Sequence, residues 1–192
     1  MMALNDLCLA DMALAEWKEP ATRGRKSRQM GAQMYFMRLQ IAHMYEGLEV
    51  LAAVRRDPTL NSLVNRCDSQ TRMLFKKLCE FLRRGSQRKE LERLVGQVRN
   101  NLAFHYEESG RQIMRVLLEG ASRPEGRTSS ITRGRTAHLW HFKVADDILD
   151  SIVVREIWGI PKNASLRLEA DRIAERVQQI VKEFGDFSAE LI

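Results

Sequence analysis

The sequence contains no apolar run long enough to span a membrane, and its first residues lack the basic start and apolar core of a signal peptide. We therefore expect a cytoplasmic protein that does not bind a membrane. Cysteine is scarce: Cys8, Cys67 and Cys79 are odd in number and show no CxxC spacing. Such a set favours free thiols in a reducing compartment over cysteine chemistry.

Strand signals are missing too, because no segment alternates apolar and polar residues with β-branched side chains. The four prolines all fall between segments of helical periodicity: Pro20, Pro58, Pro124 and Pro161. The chain has 192 residues, of which 44% are hydrophobic and 29% charged, as expected of a globular domain. We predict an all-α fold, an antiparallel bundle of about six to eight helices forming a single domain over residues 1–192.

Helical periodicity is clearest over residues 28–56, where apolar residues are spaced alternately by four and three. This seam can pack within the chain or against a second copy. Its members are Met30, Met34, Met37, Ile41, Met44, Leu48 and Leu51.

Other segments have weaker helical signals. Residues 3–18 predict a first helix that buries Leu7, Trp17 and either Met12 or Leu14. Asp57 and Pro58 are a helix start. A helix over residues 69–82 is expected to bury its apolar residues: Met73, Leu74, Leu78 and Phe81. Helices are also predicted from Ser86, over 136–158 with His141 inward and three aspartates outward, and over 164–184.

The most informative stretch is VRNNLAFHY, residues 98–106. Arg99 carries a permanent charge and a fork of donors suited to phosphate. His105 can take or give a proton near neutral pH. Asn100 can orient the imidazole or donate to a phosphate, and Tyr106 can position the scissile group. Phosphodiester cleavage needs these abilities close together.

Arg99-Asn100, a four-residue spacer and His105 resemble the signature of the HEPN superfamily (higher eukaryotes and prokaryotes nucleotide-binding), most closely its abortive-infection and toxin branch. The resemblance implies a helical bundle acting as a metal-independent endoribonuclease in host defence. It implies Arg99, Asn100, His105 and Tyr106 as site residues, no cofactor, a homodimer, and an antitoxin or other regulatory protein as partner.

One straight helix cannot bring Arg99 and His105 to the same atom, because six residues leave them about 120° apart in projection and about 9 Å apart along the axis. Either the helix kinks, or a second copy completes the site across a twofold axis. The resemblance implies the second arrangement.

Two segments are rich in arginine and poor in acids, and the formal net charge of the chain is +6. Residues 18–28 read as a basic linker, and residues 120–135 as an Arg-rich loop. The loop is either solvated or an RNA-contacting flap. Its arginines are Arg123, Arg127, Arg133 and Arg135.

Two other readings compete with the ribonuclease. A metal enzyme could use His138 and His141, or His43 and Glu46, but their spacing differs from the Glu-x-x-His order of di-iron bundles. A non-catalytic helical dimer that binds RNA or a protein partner would apply if His105 were a core residue.

Overall fold

A computed structural model of the chain describes residues 2–18, 28–96, 110–122, 131–132, 135, 141–161, 163–164 and 166–191. Eight α-helices lie within these ranges: α1 (Met2–Lys18), α2 (Gln29–Arg56), α3 (Pro58–Arg66), α4 (Ser69–Glu80), α5 (Ser86–Leu91), α6 (Arg111–Ala121), α7 (Lys143–Ser151) and α8 (Leu166–Leu191). Two-residue strands, β1 (Ile131–Thr132) and β2 (His141–Phe142), pair antiparallel. The predicted all-α fold with six to eight helices is confirmed.

Helix α2 is central to the core. From Met34 to Leu51 its predicted seam is at most 5% exposed, while the side chain of Met30 lies outside the described part of the chain. Helix α1 runs antiparallel to it, and Gln40 Nε2 donates to Asp11 Oδ1 at 2.8 Å. The seam is therefore filled by this chain and is closed to a second copy.

Helices α3 and α4 begin as their sequences dictate. Asp57 caps α3 by accepting from the amides of Thr59 and Leu60 at 2.8 and 3.0 Å, with Pro58 at the first helical position. Asp68 caps α4 in the same way, and its hydrogen bonds from Thr71 hold the pKa of its carboxyl below the usual value. Both starts are local, so they are readable without tertiary information.

The predicted helix over residues 164–184 corresponds to α8, which extends to Leu191. Ile173, Val177 and Ile180 are buried along it. Phe187, which the sequence left open as a core or partner residue, packs on Phe75 of α4 with ring centroids 5.5 Å apart. The end of α8 thus belongs to the core.

One detail of the predicted core is wrong. Leu78 and Phe81 are buried as predicted, but Met73 is 62% exposed, and Thr71 and Phe75 complete the buried side of α4. In α1 the open choice between Met12 and Leu14 is decided for Leu14, which is 2% exposed, whereas Met12 is 62% exposed.

The predicted helix over 136–158 is also wrong at its start. His141 and Phe142 form β2, and α7 begins only at Lys143. Pairing with Ile131 and Thr132 supplies β2 with backbone partners from outside its own segment, which a local helical pattern cannot reveal. Residues 136–140 lie outside the described range.

In the described ranges, two helices widen into π-helical segments at their C-terminal ends: α5 into Glu92–Gly96 and α7 into Ile152–Ile157. Trp158 and Gly159, with φ +64°, then form the predicted turn. No helix in the described ranges has the length and apolar character that crossing a bilayer requires.

Candidate functional site

The motif residues Arg99, Asn100, His105 and Tyr106 lie in segment 97–109, outside the described residues. The loop residues Arg123, Arg127 and Arg133 also lie outside them. Arg135 is described and exposed. The structure therefore describes the helical segments that precede and follow the motif, but not the motif itself.

The helix that leads to the motif is anchored in the core. Leu91 and Leu94 are 1% and 2% exposed at the junction of α5 with its π-helical segment. Trp158, 3% exposed, donates its indole N–H to the carbonyl oxygen of Leu94 at 3.1 Å. This bond joins the two π-helical ends and gives the buried Leu94 carbonyl a hydrogen-bond donor. Trp158 therefore fixes the last described turn before the motif.

Side-chain contacts to two neighbouring helices also hold α5 in place. Arg88 lies 5.9 Å from the ring centre of Tyr45 on α2 and pairs with Glu92. Glu90 pairs with Arg176 of α8 at 3.2 Å. Because these contacts come from two different helices, they resist rotation of α5 about its own axis.

After the motif, the chain re-enters the described range at Gly110, whose φ is +60°. This left-handed conformation favours glycine and precedes the first residue of α6. The run Glu107-Glu108-Ser109-Gly110 suggests a kink or break in the chain after the motif, but residues 107–109 lie outside the described chain, so this stays a prediction.

A second group of ionisable side chains lies where α7 meets α2, and the sequence did not predict it. His141 Nε2 is 2.9 Å from Asp146 Oδ2, with the imidazole side chain only 12% exposed. Lys143 Nζ lies 2.5 Å from Asp147 Oδ1. We call this set the α7 polar cluster; its members are His141, Lys143, Asp146, Asp147, Asp150 and Arg38 of α2.

Asp150 is the most perturbed acid of this cluster. Burial raises its pKa to about 7, and the positive charge of Arg38 opposes the rise. Asp146 and Asp147 add to the rise, whereas Lys143 lowers the pKa. Its Oδ1 is buried and finds no hydrogen-bond donor in the described part of the chain. The carboxyl of Asp150 therefore exchanges a proton near neutral pH.

The prediction that Asp146, Asp147 and Asp150 face outward is wrong, since all three are partly buried. The cause is a close approach of two helices. A Cβ at Gly31 of α2 would collide with the Asp146 carboxylate, so only glycine lets α7 come so near. A glycine in α2 was the available signal, but nothing local links it to a residue more than a hundred positions later.

Within the described residues, no three His, Cys, Asp or Glu side chains are grouped to hold a metal ion. The pairing of His141 with Asp146 instead fixes the imidazole through Nε2. All three cysteines are free thiols, and Cys79 is buried.

No protein-family model, curated protein or solved structure matched the chain. The functional assignment therefore depends on the residues of the chain itself: the motif at 99–105, the anchored helix before it and the charges around it.

Proposed function

We propose that this protein is a metal-independent endoribonuclease of the HEPN type that acts in host defence as a toxin. The observation that carries the proposal is the Arg99-Asn100-x4-His105 motif. It comes shortly after a helix that is fixed by Trp158, by the contact of Arg88 with Tyr45 of α2 and by the ion pair of Glu90 with Arg176 of α8. A rigid approach suits a site whose groups must be held in register.

In the proposed reaction the 2′-hydroxyl of an RNA nucleotide attacks the adjacent phosphorus. A base removes the 2′ proton as the new P–O bond forms, and an acid protonates the 5′ oxygen as its bond to phosphorus breaks. The products are a 2′,3′-cyclic phosphate and a 5′-hydroxyl. His105 supplies one of these proton transfers, a role typically worth about 10²- to 10⁴-fold in rate.

The other motif residues act on charge and orientation. Arg99 stabilises negative charge that develops on the phosphoryl oxygens. Asn100 orients His105 or donates to the phosphate, and Tyr106 positions the scissile group. On one straight helix Arg99 and His105 could not reach the same atom. We therefore propose that two copies share the site across a twofold axis.

Cleavage of RNA in EDTA tests this proposal. Purified protein is incubated with total RNA and a chelator, alongside the His105→Ala variant. We expect wild type to cleave, and the variant to lose about 10²-fold or more of the rate while keeping its circular dichroism spectrum. The fragments should end in 2′,3′-cyclic phosphate, and the same sequence as DNA should stay intact because it lacks the 2′-hydroxyl.

His43→Ala provides a matched control, because it removes a partly exposed imidazole of α2 that is not part of the motif. Equal cleavage by wild type and the His105→Ala variant would refute the assignment. A wild type that binds RNA without cutting it would instead favour the non-catalytic dimer that binds RNA or a protein partner.

A toxin also needs restraint. Expression is expected to slow growth unless an antitoxin or other regulatory protein is present, and the His105→Ala variant is expected to relieve that effect.

A further inference from the structure

The positive charge of this chain is concentrated in one part of it. Residues 55–93 hold 11 Lys and Arg against 5 Asp and Glu, a net charge of 11 − 5 = +6. The whole chain is also +6, from 31 basic and 25 acidic residues, so the remainder balances at 20 against 20. All of residues 55–93 lie within the described chain.

The acids of this segment are mostly engaged locally. Asp57 and Asp68 cap helices α3 and α4. Glu90 is paired with Arg176, and Glu92 with Arg88. Glu80, the remaining acid, accepts a hydrogen bond from Gln87 at 2.7 Å. Their negative charge is thus directed at helix ends and at particular partners.

Most of the cations, in contrast, are exposed and have no acidic partner in the described residues. We call them the basic surface; its members are Arg55, Arg72, Lys76, Arg83, Arg84, Lys89 and Arg93. Lys77, on the other flank of α4, is not a member, because it pairs with Glu183 at 2.6 Å. The unpaired charges of Arg72 and Lys76 are therefore the ones that α4 presents to solvent.

Two observations place these cations together. Arg72 and Lys76 are one helical turn apart on α4, about 6 Å along its axis. Burial raises the pKa of the Cys79 thiol, and both Arg55 and Arg83 oppose that rise, so the end of α2 and the turn after α4 converge there. The basic surface therefore spans two helices and the turn beside them.

The surface continues along α5 toward the motif. Lys89 and Arg93 are exposed and four residues apart. Their neighbours Arg88 and Glu90 contact α2 and α8. The hydrogen bond from Gln87 to Glu80 joins the start of α5 to the end of α4. From Arg93 only six residues of chain remain to Arg99.

We propose that the basic surface formed by residues 55–93 binds the phosphate backbone of the RNA strand and leads it to the motif at 99–105. This inference rests on the ribonuclease function proposed above and adds the surface that holds the substrate. Lysine and arginine side chains in a row neutralise successive phosphates, and such binding is independent of sequence and weakens with salt. The short stretch of sequence between Arg93 and the motif favours an RNA strand over an anionic membrane.

Binding is measured by fluorescence anisotropy with a labelled 2′-O-methyl RNA, which cannot be cleaved because its 2′ oxygen is blocked. The test variant is Lys76→Gln/Lys89→Gln, which removes two exposed cations of the basic surface. The control is Lys18→Gln/Lys182→Gln, which lowers the net charge equally through exposed lysines on α1 and α8. Each protein is titrated at several salt concentrations between about 50 and 200 mM.

We expect the test variant to bind several-fold more weakly. The slope of log affinity against log salt should fall by about 1.4, since each lost contact to a single strand changes it by about 0.7. Each single variant, Lys76→Gln or Lys89→Gln, should show about half of that change. The control pair should keep the wild-type slope. Thermal melts check that all variants remain folded.

Equal loss of affinity in the test and control pairs would mean that only the total charge matters, and it would overturn the proposal. An unchanged test variant, or a wild type that sediments with anionic vesicles and ignores the RNA, would overturn it as well. A wild type that binds 2′-O-methyl RNA through this surface but leaves natural RNA uncut would refute the nuclease alone.

Discussion

Asp150 shows how one tertiary contact changes the chemistry of a residue. Its carboxyl has a pKa of about 7 against an ordinary 3.8, chiefly because burial disfavours the charged form. The folded state therefore binds this proton more tightly than the unfolded state. The stability that this proton contributes is complete below pH 3.8 and is lost as the pH rises through about 7.

We predict that Asp150→Asn makes the protein more stable than wild type at pH 8 by up to a few kcal/mol, because the amide carries no charge to desolvate. At pH 5 the difference should be less than half as large, because most of the loss occurs between pH 5 and 7, and it should vanish only below about pH 3.8. Urea unfolding at both pH values measures the effect, and Asp171→Asn, an exposed site on α8, is the control. Parallel pH profiles for wild type and Asp150→Asn would contradict the prediction.

At the scale of elements, the π-helical ends of α5 and α7 meet through Trp158. Its indole N–H donates to the Leu94 carbonyl, and both residues are buried. If this bond positions the helix before the motif, its loss should increase local opening mainly at the residues that follow Leu94.

Trp158→Phe tests this role, since phenylalanine keeps an aromatic ring and removes the donor. We predict a loss of about 1–3 kcal/mol in the free energy of unfolding, from the buried carbonyl left without a partner. Hydrogen exchange should quicken at the amides of residues 92–105 more than in α1 and α2. RNA cleavage should lose kcat with little change in KM, because binding surfaces stay intact. Uniform acceleration of exchange across the chain would point to general destabilisation instead.

Elements with local signals were predictable from sequence. The four–three seam of α2 and the Asp57–Pro58 start of α3 each depend on residues within a few turns of one another. The start of α7 was not predictable, because β2 depends on residues 131–132 of a distant loop. The α7 polar cluster was missed for the same reason: it needs Gly31 and Arg38 to face Asp146 and Asp150 across the core.

The candidate site divides along the same line. The motif residues could be identified because they are close in sequence, from Arg99 to His105. The anchoring of that stretch by Trp158 could not be read, since 64 residues separate the indole from Leu94. The sequence can thus identify candidate reactive side chains without revealing the distant residues that position them.

At the scale of the whole molecule, buried apolar residues from α1 to α8 form one continuous cluster. The α2 seam lies inside it and is covered by this chain. A second copy must therefore meet the first elsewhere, and the proposed shared site requires that it meet near the motif. Arg99 and His105 would then act together although they belong to different chains.

Mixing two inactive variants distinguishes a shared site from a kinked helix within one chain. Arg99→Ala and His105→Ala are each expected to be inactive alone. When they are co-expressed, half of the dimers contain one copy of each. In those dimers one of the two sites regains both an intact arginine and an intact histidine, so we predict about a quarter of wild-type cleavage.

The Arg99→Ala/His105→Ala double variant co-expressed with wild type provides the reference, because each mixed dimer then has no site with both intact groups if the site is shared. Only the wild-type dimers remain active in that mixture, again about a quarter. If Arg99 and His105 instead act within one chain, the mixture of single variants stays inactive and the reference mixture keeps about half. A shared site thus gives equal activity in the two mixtures, whereas a site within one chain gives activity only in the reference mixture. Sedimentation at the assay concentration confirms that dimers are present.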